Sequence, residues 1–99
     1  MAVVTLRYWA AAKEAAGIAE EAVSAETLAE ALAVAGGGRP GKGGPGGGHQ
    51  REERNARLRA ILVRSSFLVD GMPVGTRAPE AVVLGDGAVV EVLPPFAGG

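Results

Sequence analysis

The sequence predicts an α+β fold in which one main helix covers a mixed sheet. Two observations predict it. The two segments with the strongest apolar alternation, Val3–Trp9 and Ala88–Leu93, lie near opposite ends of the chain and are natural neighbours at the centre of one sheet. Between them, Leu28 and Leu32 lie on one face of an amphipathic helix. At 99 residues and 47% hydrophobic content, the chain has the size of a single domain.

The first half of the chain alternates between strand and helix signals. The first strand has one clearly apolar face, made by Val4, Leu6 and Tyr8. Helices are predicted from alanine-rich composition, leucine spacing and glycine stops. In chain order the expected elements are a strand at Val3–Trp9, a helix at Ala10–Ala16, a weak strand at Ile18–Val23, and a helix from about Thr27 to Ala35 with Ser24 as its candidate N-cap.

The second half begins with a charged helix and continues with strands. Asp70-Gly71 and Gly85-Asp86-Gly87 are turn signals. Pro94-Pro95 ends the last strand, because proline cannot donate to a sheet ladder. The expected elements are a helix at Gln50–Arg59 and strands at Ile61–Asp70, Met72–Val74 and Ala88–Leu93, with Pro79–Leu84 ambiguous. The simplest topology with this order is a ubiquitin-like roll.

Nine of the 16 glycines fall in the run GGGRPGKGGPGGG at residues 36–48. Such a run has no side chains whose burial could offset its ordering entropy, so it predicts a disordered loop. A long surface loop is tolerated inside one domain, which we expect to span residues 1–99. The run resembles a phosphate-binding loop at Gly36, Gly41 and Lys42. Position 43 is glycine, however, where that motif needs Ser or Thr, so composition explains the match.

Composition excludes several classes of function. The chain has no cysteine and one histidine, His49, so no metal site of the usual kind is predicted. A formal charge of −1 is not the electrostatic footprint of a nucleic-acid-binding protein. Neither an apolar run long enough to span a membrane nor a signal-peptide pattern is present in the sequence. A cytoplasmic location without membrane or nucleic-acid partners is the expectation.

The ending LPPFAGG is the segment that points to chemistry. A stiff Pro94-Pro95 separates a core strand from Gly98 and Gly99. Glycines have no Cβ and can thread a narrow channel, and four extended residues reach roughly 13 Å. The α-carboxylate of Gly99 is a poor acyl donor until a partner converts it to an acyl-adenylate. Once activated, it can accept sulfur and become a thiocarboxylate.

Three blocks carry a resemblance to a known family: TLRYWAAAKEAAG at 5–17, SFLVDGMPVG at 66–75 and LGDGAVVEVLPPFAGG at 84–99. Together they resemble the small, sulfur-carrying subunits of molybdopterin synthase, a family similar to ubiquitin and to the thiazole sulfur carriers. The first block, an aromatic strand end followed by an alanine-rich helix, favours the molybdopterin branch. The resemblance implies a β-grasp fold.

The resemblance also implies roles for residues of the tail. Gly99 would carry the adenylate and then the thiocarboxylate, with Gly98 and Ala97 beside it in the active site of the large subunit. The residues expected to contact that subunit are Phe96, Pro95, Leu93 and Trp9. The chain would be a non-catalytic subunit that binds no cofactor. A ubiquitin-activating-like enzyme would use ATP and magnesium to charge Gly99.

Two features depart from the family pattern, and three alternative functions stay open. Lys13 stands where the family often has arginine, and the glycine-rich insertion is not part of the common pattern. The alternatives are a sulfur carrier for thiazole or cysteine synthesis, a ubiquitin-like modifier joined to lysines through Gly99, and a plain β-grasp binding module. For Trp9, the alternative to an interface role is a satellite cluster covered by a loop.

Overall fold

The computed structural model describes residues 2–36 and 48–95. Within these ranges the chain forms five strands, three α-helices and one short 3₁₀ helix. In chain order they are β1 (Val3–Tyr8), α1 (Ala10–Ala16), β2 (Glu20–Ser24), α2 (Leu28–Ala35), α3 (Gly48–Leu62), β3 (Ser66–Val69), β4 (Met72–Pro73), the 3₁₀ helix (Pro79–Ala81) and β5 (Val89–Leu93).

The described strands form a single mixed sheet with the order β2-β1-β5-β3-β4. Strands β1 and β5 are parallel neighbours at its centre, with Leu6 opposite Val90 and Tyr8 opposite Val92. Strand β2 pairs antiparallel with β1, and β3 pairs antiparallel with both β5 and β4. The predicted pairing of the first and last strands and the predicted α+β, ubiquitin-like β-grasp fold class are therefore confirmed.

One face of the sheet carries the hydrophobic core. Its central residues are fully buried because their side chains pack against the helices. The sequence predicts one main helix over this face, whereas all three α-helices of the described chain contribute to the core. The helical contributors are Ala12, Ala15 and Ala16 of α1, Leu28, Ala31 and Ala35 of α2, and Leu58 and Leu62 of α3.

The other face of the sheet, here called the open face, consists of the alternate residues of each strand. On the two central strands these are Val3, Thr5 and Arg7 of β1 and Val89, Glu91 and Leu93 of β5. All of them are half-buried or exposed, in contrast to their buried neighbours in sequence. The alternation in the sequence therefore correctly separates a core face from an open face.

Helix α2 begins differently from the prediction. Ser24 is the last residue of β2, and the N-cap is Thr27, whose Oγ1 accepts a hydrogen bond from the Glu30 backbone N–H at 3.2 Å. The Glu30 carboxylate in turn accepts from the backbone N–H of Glu26 at 2.7 Å. The first bond satisfies a free N–H group of the first turn. The second joins the residue before the N-cap to the same turn, an arrangement close to a capping box. The predicted weak strand at Ile18–Val23 is correct in type and lies at Glu20–Ser24.

The predicted strand at Ile61–Asp70 is too long, because Ile61 and Leu62 belong to α3. Leu58 and Leu62 are four residues apart on that helix and both are buried, so the helical period places them on the core. Strand pairing begins only at Ser66. The ambiguous segment beginning at Pro79 contains the 3₁₀ helix. The loop predicted at 36–48 lies outside the described residues apart from its two ends. Gly36 follows α2 as its C-cap, and Gly48 is the first residue of α3.

Candidate functional site

The fold places the start of the C-terminal tail at the middle of the sheet. Strand β5 lies between β1 and β3, and the chain leaves it through a buried Pro94 and an exposed Pro95. Because β5 runs parallel to β1, the C-terminal ends of both central strands lie at the same end of the sheet, and the tail starts there. The remaining predicted tail residues, Phe96, Ala97, Gly98 and Gly99, lie outside the described residues.

Trp9 lies directly beside the start of the tail. It follows the last residue of β1, and its backbone N–H donates to the carbonyl oxygen of Val92 at 3.3 Å. Its indole Nε1–H donates to Oε1 of Glu91 on the open face at 3.1 Å. With 45% of the residue exposed, Trp9 presents a large apolar surface to solvent. Strand alternation in the sequence places Trp9 on the face opposite Val4, Leu6 and Tyr8, and the exposed indole agrees with that placement.

The backbone around Trp9 is locally unfavourable. Trp9 occupies the N-cap position of α1 without a side-chain hydrogen bond to the helix, although Ser, Thr, Asp or Asn normally cap helices there. The next residue, Ala10, has a φ of 51°, in the left-handed region that costs residues with a Cβ roughly 1 kcal/mol. Helix α1 therefore starts without a side-chain cap and with a left-handed first residue. The Trp9 side chain does not cap the helix but bonds to Glu91 of the sheet.

The open face next to Trp9 combines apolar and acidic groups. Glu20, Arg7 and Glu91 lie in register on β2, β1 and β5 and make one row of charges across the sheet. Within the row, Arg7 Nε lies 3.9 Å from Glu20 Oε2. Leu93 is half-buried on the same face, one register step closer to the tail. Trp9, Leu93 and Pro95 are thus the predicted interface residues that the structure describes, and they lie together around the end of β5.

The sequence-based prediction of site residues missed two glutamates of this region, Glu91 and Glu21. Glu91 lies two positions before Leu93, so strand alternation alone would have placed it on the open face. Glu21 lies on the core side of β2 and accepts a hydrogen bond from the Tyr8 hydroxyl at 2.5 Å. Burial and this bond to a carboxylate raise the pKa of the Tyr8 phenol far above its usual value near 10. No sequence spacing indicates that contact.

The described side chains include no group of three or more His, Cys, Asp or Glu residues that could hold a metal ion. Apart from Tyr8, whose hydroxyl bonds to Glu21, no residue with a polar or charged side chain is buried in the described ranges. Among the helices that the structure describes, none combines the length and the apolar character required to cross a membrane. What the described residues offer is a surface made by Trp9, Leu93 and Pro95 at the end of β5.

The solved structures with the same fold include members of two groups of proteins. The small archaeal modifier protein 1 from Methanosarcina acetivorans matches 100% of this chain and 98% of its own, with 22% identity and a TM-score of 0.66. The protein of that name from Haloferax volcanii matches 98% of this chain and 99% of its own, at 20% identity and a TM-score of 0.64. The match extends over nearly the whole of this chain in both cases.

The second group is represented by the complex of subunits 1 and 2 of molybdopterin-converting factor from Helicobacter pylori. A chain of that complex matches 98% of this chain and 99% of its own, with 22% identity and a TM-score of 0.59. No protein-family model matches the sequence, and no curated protein is similar enough to count as a relative. The comparisons therefore establish a shared fold.

Proposed function

We propose that this chain is the sulfur-carrying small subunit of a molybdopterin synthase. The observation that carries the proposal is the start of the tail: a central strand ends in Pro94-Pro95 beside an exposed tryptophan, and the sequence continues to Gly98 and Gly99. Because the strand before the tail is hydrogen-bonded to a neighbour on each side, a partner can bind the tail without separating an edge strand from the sheet. The fold shared with a subunit of the Helicobacter pylori complex supports a larger partner of that kind.

The chemistry begins with the Gly99 carboxylate. In an adenylating enzyme of the ubiquitin-activating type, with ATP and magnesium, a carboxylate oxygen attacks the α-phosphorus and pyrophosphate leaves. A sulfide-level donor then displaces AMP, so that the C–O bond to the adenylate breaks and a C–S bond forms. The product is a thiocarboxylate, whose sulfur is a better nucleophile than the original oxygen.

Sulfur donation follows in the large subunit, in the cytoplasm. The thiocarboxylate sulfur attacks an electrophilic carbon of the molybdopterin precursor and displaces an oxygen leaving group from it. A C–S bond thus replaces a C–O bond, and the chain is linked to the precursor as a thioester. Water then cleaves the acyl–sulfur bond, which leaves the sulfur on the product and restores the Gly99 carboxylate. Gly98 and Ala97 line the channel, and Phe96, Pro95, Leu93 and Trp9 contact the partner. The large subunit supplies the acid and base groups.

The test is the intact mass of the chain purified from its native host. The expected result is a species in which one oxygen is replaced by sulfur, lost when the synthase precursor and large subunit are added. A matched chain that lacks Gly99 should show no such species. An intact chain that never carries sulfur, although its adenylating enzyme is present, contradicts the proposal.

A second candidate function is that of a protein modifier, and the fold shared with the small archaeal modifier proteins favours it. In that case Gly99 would form an amide with a lysine of a target protein, with loss of AMP from the adenylate. The same mass measurement separates the two functions, because conjugation produces a series of larger species. A sulfur carrier for thiazole or cysteine synthesis would carry the same thiocarboxylate but bind a different partner.

A further inference from the structure

We infer that Glu91 is a positioning residue, which holds the Trp9 indole as the anchor for the protein that binds the tail. The inference rests on the proposed function, because it needs a partner that binds Gly99. It adds a role for a residue outside the tail, and it defines the chemistry of the surface that the partner must present.

Two hydrogen bonds fix Trp9 to the start of the tail. The backbone N–H bonds to Val92 at 3.3 Å and the indole N–H to Glu91 at 3.1 Å, so both the backbone and the ring are tied to β5. A large side chain that is ordered before binding loses less conformational entropy when a partner covers it. The ring is therefore prepared for contact although nearly half of the residue is exposed.

The local cost at this position supports a role beyond stability. A tryptophan at the N-cap leaves α1 without a side-chain cap, and Ala10 adopts a left-handed backbone. Unfavourable local conformations persist in folded proteins mainly where the surrounding structure imposes them, and they cluster at functional sites. Here the imposed feature is the direction of the Trp9 side chain, toward Glu91 and the open face.

The protein that binds to the surface around Trp9 is the partner that also binds the tail. From Pro95, the four residues to Gly99 extend roughly 13 Å at most, so a protein that binds Gly99 must lie close to Trp9. The row beside Trp9 has two carboxylates, Glu20 and Glu91, and one guanidinium, Arg7, and is therefore acidic overall. The partner should present an apolar pocket for the indole with basic side chains at its rim. A second copy of this chain would instead oppose like charges.

The first experiment uses the free chain. Trp9 is the single tryptophan, so indole fluorescence anisotropy and the indole N–H resonance report on this ring alone. Glu91→Gln keeps an acceptor for the indole, whereas Glu91→Leu removes it; Glu20→Gln is the control for loss of one charge from the same face. We expect a more mobile indole only in Glu91→Leu. An indole that is equally ordered in Glu91→Leu and in the wild-type chain overturns the inference.

The second experiment measures binding of the molybdopterin synthase large subunit from the same organism. We expect roughly tenfold weaker binding for Trp9→Ala and Glu91→Leu, the size of effect seen when an anchor residue is removed. Glu91→Gln loses one carboxylate but keeps an acceptor for the indole, so it should bind as well as the charge control Glu20→Gln and more tightly than Glu91→Leu. Because Glu91 positions only Trp9, the double variants Trp9→Ala/Glu91→Leu and Trp9→Ala/Glu91→Gln should bind equally. A Glu91→Leu chain that binds as well as Glu91→Gln, or double variants that differ in affinity, overturn the inference.

The two proposals fail in different ways. A wild-type chain that binds the large subunit with the same affinity as Trp9→Ala and Glu91→Leu contradicts the anchor and leaves the sulfur-carrier function standing. A wild-type chain that does not bind the large subunit contradicts both. Thermal unfolding of each variant serves as the control for folding, since Glu91 is on the half-buried open face and outside the core.

Discussion

The hydrogen bond between the Tyr8 hydroxyl and the Glu21 carboxylate connects a core residue of the central strand β1 to the edge strand β2. Tyr8 is buried at the end of β1, and its hydroxyl reaches across to Glu21 on the edge strand β2. The Glu21 side chain is half-buried, so it can still reach water if the hydroxyl is removed. The aromatic ring therefore contributes packing, while the hydroxyl contributes one hydrogen bond to a charged group.

Replacing Tyr8 by phenylalanine separates these two contributions. We expect Tyr8→Phe to lower the free energy of unfolding by about 2 kcal/mol at neutral pH, the net value of one hydrogen bond to a charged group. The folded state raises the pKa of the phenol, so the stabilisation is complete below about pH 10 and is lost as the pH rises further. Urea unfolding across that range should show a loss of stability in the wild-type chain that Tyr8→Phe lacks. Parallel curves for the two proteins would contradict this account.

At the scale of elements, local signals predict more than long-range ones. The alternation in β1 and β5, the alanine-rich α1 and the Asp70-Gly71 turn are all evident in the sequence, because each depends on neighbours within a few residues. The strand prediction at Ile61 and Leu62 is wrong because β-branched and leucine residues fit both a buried strand and a buried helix end. The bonds from Trp9 to Glu91 and from Tyr8 to Glu21 depend on strand register, which no single segment encodes.

The turn between β3 and β4 allows a test of whether its backbone conformation requires glycine at position 71. Asp70 and Gly71 have φ values of 51° and 83°, the pattern of a type I′ hairpin turn. A Cβ added at Gly71 would meet nothing within 4 Å, so the cost of Gly71→Ala is conformational only and should be about 1 kcal/mol of unfolding free energy.

Gly85 provides the matched control for that substitution. A methyl group added there would also lie in open space, but the backbone of Gly85 is not left-handed, so Gly85→Ala should be neutral or slightly stabilising. Chemical denaturation of both variants checks the pair. Equal losses at the two positions would show that packing or solvent exposure, rather than the backbone angle at Gly71, determines the cost.

At the scale of the whole molecule, the proposed docking surface and the proposed reacting group are separate parts of the chain. The described residues provide the central strand β5, the exposed Trp9 and the row of Glu20, Arg7 and Glu91, whereas the proposed reacting group is at Gly99. Interactions made by the domain should therefore persist when the reacting group is removed. The sulfur-transfer reaction should not.

A chain without Gly98 and Gly99 should consequently act as a competitive inhibitor. We expect it to bind the large subunit through the domain and to slow sulfur transfer from the intact, thiocarboxylated chain, with inhibition relieved by excess intact chain. Adding Trp9→Ala to the shortened chain should weaken inhibition by roughly tenfold, because the anchor contributes to docking and not to the reaction. Steady-state rates at several inhibitor concentrations measure this. A shortened chain that fails to inhibit would mean that affinity lies in the last two residues themselves, and that the domain serves to carry them rather than to dock.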